Sequence, residues 1–401
     1  MVVASNIRDE VDEILPGVIA DRRHLHENPE LGFQEFKTAE FVRQRLESLG
    51  VEDIRTGINS TGVTGLVIGT AKGPGRNVLV RADMDALPIH EENEVDYKSQ
   101  SDGVMHACGH DAHTSILLGL TRILMERRDQ FSGTVKVLFQ PAEELPPGGA
   151  KGMIEAGVLN DPPIEAVFGL HMSQGDPVGK IIVGAGPVMA AADGFEIIVH
   201  GKGGHGAYPH ECVDPVVVGA QIVVALQTLV SRNVDPMDSA VVSTCVFQSG
   251  DAFNVIPDTA RLAGTVRTFQ PETRDLLEKR INEVASGVAK ALGAEAEVTY
   301  TRGYPATVND EAMTQLAREA AISVVGEENV VELQPKMGAE DFSYFLEQKP
   351  GSYFFVGSNN PEKGLVWGHH HPKFDIDEES LGAGLATMAT SVLTYLTRDE
   401  A

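Results

Sequence analysis

Three apolar runs in this chain lead straight into side chains that hold metals or move protons, and that pattern narrows the fold more than any other feature. Asn77–Ala82 runs into Asp83 and Asp85, Thr134–Gln140 into Pro141-Ala142-Glu143-Glu144, and Glu165–Leu170 into His171. Runs of this length and character are expected to be strands buried in a sheet. In open α/β sheets, ligands collect where the carboxyl ends of strands meet. The three ends are therefore expected to serve one site in an α/β fold, on a mixed, largely parallel sheet between helices.

Between the first two runs lies Met105–His113, with His106, Cys108, His110, Asp111 and His113 in one short stretch. Cys108 and His110 are separated by one residue, so in an extended loop both side chains point the same way. A thiolate with an imidazole suits Zn and tolerates Mn, Co or Ni. The apolar segment Thr114–Leu120 that follows is read as the start of a buried helix, so the ligands would sit on a loop feeding a rigid element. A second histidine cluster, Trp367-Gly368-His369-His370-His371-Pro372, lies near the C-terminus. In Glu143-Glu144, one carboxylate can hold metal while its neighbour, pointing elsewhere, takes a proton. Asp83 and Asp85 could ligate metal or orient ligand imidazoles; with donors enough elsewhere, orientation is favoured, and Asp111 is read the same way. His106, His113, His369 and His371 are read as supporting groups.

The remaining elements divide the chain. Apolar spacing over residues 6–25 predicts a helix that Pro16 kinks or divides, and Phe36–Leu49 a helix ended by Gly50. Thr64–Ile68 is read as a further strand. From about Gly186 the order becomes strand 194–199, helix 215–231, strand 240–248, strand 259–269, helix 272–292 and strand 295–304. That is the split βαβ, ferredoxin-like order, read as a domain inserted at 187–305 between the two parts of a discontinuous catalytic domain, 1–186 and 306–401. A chain of 401 residues agrees with two cores. The second part should carry a helix over 311–325, a strand over 352–357 and a final helix over 378–396. Within the insert, His205 stands on a glycine-rich loop, while Asn254 and Arg267 offer an amide and a guanidinium suited to a carbonyl oxygen and a carboxylate.

Charge and cysteine usage exclude other classes. A net charge of −26 leaves no basic footprint for nucleic acid. Three scattered cysteines make no disulfide framework, so a reducing, cytoplasmic setting is expected. The N-terminus lacks the basic region of a secretory leader, and no stretch of about 20 apolar residues predicts a membrane span.

With these residues in place, the chain resembles the dinuclear metal amidohydrolases of the aminoacylase and carboxypeptidase family, on the branch of hippurate hydrolases, N-acyl-amino-acid amidohydrolases and indole-acetyl-amino-acid hydrolases. The resemblance runs through Arg22–Leu31, Arg81–Pro88, His106–His113, Pro141–Glu144, Asn254–Pro257, Met337–Phe342 and His370–Phe374. It implies that Cys108, His110, Glu144, His171 and His370 hold two divalent cations (Zn, Mn, Co or Ni), with the Cys108 thiolate bridging them. His370 is chosen among its neighbours because the branch's ligand lies two positions before the proline. The resemblance further implies Glu143 as general base and acid, His205 as a catalytic group reaching into a neighbouring subunit's site across a homodimer, and Asn254 and Arg267 as substrate-holding groups of a lid and dimerisation domain. Asp83 and Cys108 stand where the peptidase members have a ligand histidine and a bridging aspartate. The expected activity is hydrolysis of an N-acyl amino acid to a carboxylic acid and a free amino acid. A dipeptidase or carboxypeptidase is the alternative within the same chemistry, and a silent metal- or ligand-binding protein the alternative outside it.

Overall fold

The computed structural model describes residues 2–398, with side chains described from Ile7 onward. The chain opens with α1 (Val2–Glu27) and α2 (Phe36–Leu49), followed by β1 (Glu52–Ile58), β2 (Gly62–Ile68), β3 (Arg76–Asp83), α3 (His110–Glu126) and β4 (Gly133–Gln140). Next come α4 (Gly149–Glu155), β5 (Ala166–Pro177), β6 (Ile181–Val183) and β7 (Gly186–Met189). Then follow β8 (Ala191–His200), β9 (Gly204–His205), α5 (Pro215–Arg232), β10 (Ala240–Gln248), β11 (Val255–Ile256), β12 (Thr259–Thr268), α6 (Pro271–Ala291) and β13 (Glu295–Arg302). The chain closes with β14 (Thr307–Asn309), α7 (Glu311–Val325), β15 (Val330–Glu332), α8 (Ser343–Leu346), β16 (Gly351–Asn359) and α9 (Glu379–Thr397).

Two compact units emerge: Met1–Val188 with Val308–Gln334 and Asp341–Ala401, and Met189–Thr307 with Pro335–Glu340. In the first, eight strands lie in the order β1-β2-β4-β3-β5-β16-β6-β15. The central strands β4, β3, β5 and β16 run parallel, whereas β1 against β2 and β2 against β4 are antiparallel. Leu79 and Val80 of β3 point to opposite faces yet are both at most 1% exposed. The sheet is thus covered on both sides, each such side chain contributing roughly 1.5–3 kcal/mol.

The second unit has its own core and a four-stranded antiparallel sheet ordered β10-β12-β8-β13. Its order of elements and of strands is ferredoxin-like. Phe195, Ile197 and Val199 alternate inward on β8, against Val218, Ile222, Leu226 and Leu229 of α5 and Leu277, Ile281, Ala285 and Ala289 of α6. Contrary to the expectation of no such segment, α5 is apolar enough to cross a membrane by length and composition; its buried stripe packs on this sheet.

Several boundaries depart from expectation. Pro16 lies inside one unbroken α1, because Val11, Ile14 and Val18 around it are buried in the core and packing outweighs the hydrogen bond that proline forfeits. The strand β1 was not foreseen, being exposed or half-buried along its whole length and lacking an apolar face. The third apolar run extends to Pro177, so His171 lies within β5 and not at its end. The helix after the cysteine loop begins at His110, four residues earlier than read. The segment Pro335–Glu340 returns to the second unit, which no local pattern announces.

Candidate metal centre and active site

Parallel register brings the ligand-bearing segments to one level. Asp83 pairs with Gln140, the residue before the Pro141–Glu144 loop, and Arg81 pairs with Gly169, which sets Asp83 level with His171. β3 leads on to β4 on one side and β5 leads on to β6 on the other, so the connections of these neighbouring strands diverge and leave the crevice in which α/β sheets bind ligands. Into it α3 delivers His110 at its first turn. Gly109, just before, sits at φ 93°, and a Cβ there would stand 3.2 Å from the Met172 side chain, so glycine suits the entry to this helix.

Hydrogen bonds set the tautomers. His110 Nδ1 lies 2.9 Å from the Asp85 carbonyl and His171 Nδ1 2.6 Å from the Met172 carbonyl; a carbonyl only accepts, so each imidazole donates from Nδ1. Both therefore turn Nε2 toward the site, as a lone pair on neutral His171, the arrangement that outer hydrogen bonds impose on metal-binding histidines. His110 Nε2 is buried without a hydrogen-bond partner, and His171 Nε2 is 3.5 Å from Cys108 Sγ. His113 differs: its Nε2 accepts the Met172 N–H at 2.9 Å while Nδ1 faces Asp83 at 2.6 Å, leaving no lone pair for a cation.

Among the described residues, two donor triads share Cys108. Ligand atoms of Cys108, His110 and His171 lie within 4.8 Å of one another, as do those of Cys108, Glu144 and His370, so Cys108 belongs to both. His370 Nε2 is 2.9 Å from Glu144 Oε1, and His370 holds φ 64° while its N–H bonds the Ala107 carbonyl. Non-glycine residues tolerate that backbone region only where surroundings impose it. Burial, then the carboxylates of Glu144 and Glu143, push the Cys108 thiol well above its usual range. Burial works against a charged His110, yet Asp83 and Asp85 outweigh it and hold the ring up at about 10. Burial and the neighbouring His113 and His369 keep His171 well down, hence neutral. A thiol, two carboxylates and imidazole Nε2 atoms converging in this way form a donor set that fits divalent cations, which would displace the Nε2 proton of His110 on binding.

The loop carrying Glu143 and Glu144 is held from below. Asp85 Oδ1 accepts the Glu143 N–H at 2.9 Å and Oδ2 the Glu144 N–H at 3.0 Å, while Glu35 Oε1 accepts the Ala142 N–H at 2.8 Å. Glu143 is buried, with Oε2 3.9 Å from His110 Nε2. Asp83 gives Oδ1 to His113 and Oδ2 to Arg81 at 2.6 Å.

In the second unit, β9 and β11 pair His205 with Val255, and the Gly206 N–H bonds the Asn254 carbonyl, so His205 and Asn254 are neighbours. His205 Nδ1 accepts the Ala207 N–H at 3.0 Å, so the neutral ring carries its proton on Nε2 and can donate. Arg267 is placed apart from them. On β12 it pairs with Ala192 of β8, eight residues from the Thr259 end that lies nearest the β9–β11 ribbon, roughly 27 Å of strand. Its guanidinium bonds Thr265 Oγ1 and the Val266 carbonyl, and burial depresses its pKa.

Residues 79–394 match the model of Peptidase family M20/M25/M40. The chain belongs to that family. Relatives include thermostable carboxypeptidase 2 of Saccharolobus solfataricus, 40% identical over 98% of this chain and 99% of the relative. The N-acetylcysteine deacetylase of Bacillus subtilis is 43% identical over 90% and 92%. The IAA-amino acid hydrolase ILR1-like 4 of Arabidopsis thaliana is 42% identical over 94% and 86%. The crystal structure of a dinuclear metal binding M20 peptidase from Bacillus subtilis superposes with a TM-score of 0.83 at 38% identity, over 96% of this chain and 99% of that one.

The sequence reading missed the buried frame behind the site of this M20/M25/M40 hydrolase. Arg22 of α1, wholly buried, reaches Asp111 Oδ2 at 2.8 Å, one residue past His110, and Asp375 Oδ1 at 2.8 Å, on the loop that carries His370. His26 adds Nδ1 to Asp111 at 2.8 Å and Nε2 to Glu91 at 3.2 Å, and Tyr97 caps Asp375 at 2.7 Å. One helix thus ties together two segments separated by more than 250 residues. Arg22 and His26 stand four apart on α1, which could have marked them as a polar face, but nothing local said that the face is buried.

Proposed function

We propose that this member of a hydrolase family cleaves the amide bond of N-acyl amino acids, releasing a carboxylic acid and a free amino acid. The reading is carried by the two donor triads that share Cys108 beside the buried Glu143. The N-acetylcysteine deacetylase and IAA-amino acid hydrolase relatives support its substrate class. Cys108, His110, Glu144, His171 and His370 would hold two cations, Zn, Mn, Co or Ni, which when bound supply Lewis acidity that makes water a better nucleophile and polarises the scissile carbonyl. Glu143 takes the proton from the attacking water and later delivers it to the departing amine nitrogen. His205, with its proton on Nε2, donates to the carbonyl oxygen as it gains charge, the Asn254 amide assists, and Arg267 pairs with the substrate carboxylate. The 187–305 region acts as lid and dimerisation domain. The roughly 27 Å of strand between Arg267 and the ribbon bearing His205 supports a homodimer in which His205 serves the partner's site.

Hydrolysis of acetyl-, benzoyl- and indole-acetyl-amino acids, with Mn, Zn, Co and Ni added in turn, tests the substrate class. Glu143→Gln is expected to retain its metals and lose 10³-fold or more in kcat; turnover near wild type would remove Glu143 from its role. The carboxypeptidase relatives favour a second reading, release of a C-terminal amino acid from peptides. Preferential cleavage of peptides with a free amino terminus over N-acyl amino acids would select it.

A further inference from the structure

The loop Pro141–Glu144 carries the proposed base, and its backbone is strained at one place. Ala142 holds φ 51°, the left-handed region where a Cβ crowds the following carbonyl, and it is fully buried. Such a residue persists only where its neighbours over-determine it. Two carboxylates do so here. Asp85 takes the N–H groups of Glu143 and Glu144, and Glu35, from the turn before α2, takes the N–H of Ala142 itself. Glu35 is wholly buried, and its second oxygen accepts the Thr61 hydroxyl at 2.5 Å. The Ala142 carbonyl is engaged by the Gly149 N–H at 3.1 Å, and Ala142 packs on the turn before Glu35, where a Cβ at Gly32 would stand 3.1 Å from the Ala142 Cβ. Asp85 also accepts from His110, so its loss would disturb the cation donors. Glu35 hydrogen-bonds to none of the five donors, and the N–H of Glu144 is held independently by Asp85, so metal content measured alongside kcat separates the two effects.

We infer that Glu35 is a positioning residue for the hydrolytic step: by holding Ala142 left-handed it sets the direction in which Glu143 leaves the chain. The inference rests on Glu143 being the base. In an extended or right-handed Ala142, the Cα–Cβ bond of Glu143 would point elsewhere, and displacements of about 1 Å in such groups cost on the order of 10²-fold in rate.

The test compares Glu35→Leu, Glu35→Gln and Thr61→Val with wild type and with Glu143→Gln, measuring kcat, KM and bound metal per chain with one N-acyl amino acid and one added metal. Glu35→Leu is expected to keep wild-type metal content and KM while kcat falls at least tenfold. Glu35→Gln, which keeps an oxygen for the Ala142 N–H, should stay within about threefold of wild type, and Thr61→Val should fall between. Adding Ala142→Gly to Glu35→Leu should recover part of kcat, because glycine adopts the left-handed backbone without restraint. If Glu35→Leu does not fold, Thr61→Val and Glu35→Gln decide the matter through the same split between kcat and KM. Wild-type kcat in Glu35→Leu, metal loss in step with activity, or equal damage from Glu35→Gln and Glu35→Leu would each overturn the inference. An active Glu143→Gln would instead remove the base assignment on which it depends.

Discussion

Replacing Arg22 with Met isolates the buried frame behind the cation donors. The substitution keeps most of the aliphatic volume and removes a guanidinium with no exposed surface that lies 2.8 Å from both Asp111 and Asp375 and 3.5 Å from Glu378. Removing one partner of a buried ion pair typically costs about 3–5 kcal/mol, because the carboxylate left behind stays desolvated. Here compensation is partial: Asp111 keeps His26, and Asp375 keeps the Tyr97 hydroxyl. That two carboxylates lose their guanidinium at once offsets this relief, so the same range is expected. At about 2–4 °C per kcal/mol for a unit of this size, the melting temperature should fall roughly 6–20 °C. The loss should also depend on pH. In wild type, burial opposes ionisation of both aspartates, but Arg22, followed by His26 and, for Asp375, Tyr97, outweighs it and holds their pKa values low, so their contribution is present throughout pH 5–8 and lost only in strong acid. Without Arg22 the largest opposing charge is gone, the balance moves toward burial and the carboxylates take up protons more readily, so the deficit should be largest near pH 8 and shrink toward pH 5. Differential scanning calorimetry across that range, with metal content measured alongside, is the assay. A melting temperature within 2 °C of wild type, or a deficit that grows on acidification, would refute the reasoning.

Two further outcomes follow from the same geometry. Burial and Arg22 press the His26 pKa down, but the bonds to Asp111 and Glu91 prevail and raise it to about 9. Its stabilisation, roughly 3 kcal/mol, should be fully present below pH 6.5 and disappear as pH rises through about 9; urea unfolding of wild type against His26→Gln should show that convergence, and a pH-independent gap would contradict it. Because Cys108 belongs to both donor triads, Cys108→Ser should lower affinity for both cations by at least 100-fold and abolish the thiolate-to-cobalt charge-transfer band of the Co(II)-loaded protein; a variant that retains two tightly held ions would show that the thiolate is not shared.

Local pattern carried much of the architecture. The spans of α2, β10 and α7 follow from period and caps alone, since Gly50 at φ 76° ends α2 and Asp310 accepts the Met313 N–H at the start of α7. The split βαβ order was legible for the same reason: β8 alternates between a buried and a solvated face, and α6 repeats an apolar residue every fourth position. Where burial contradicts local propensity the reading failed. Pro16 stays inside α1 because the core holds that helix, and β1 has no apolar face to betray it.

The amino-acid sequence by itself determined which residue types exist to bind cations and move protons, and that they stand at or just beyond strands, because the alternation of apolar runs and polar breaks is a one-dimensional property. Only the tertiary structure decided how they meet. Parallel register set Asp83 level with His171, hydrogen bonds to the Asp85 and Met172 carbonyls turned two Nε2 atoms toward Cys108, and the Met172 N–H occupied His113. Arg22 drew together Asp111 and Asp375, and Glu35 reached the backbone of Ala142 from 107 residues away. These are contacts at long sequence separation, whose strength comes from desolvation, and desolvation is a property of the folded chain and of no segment taken alone.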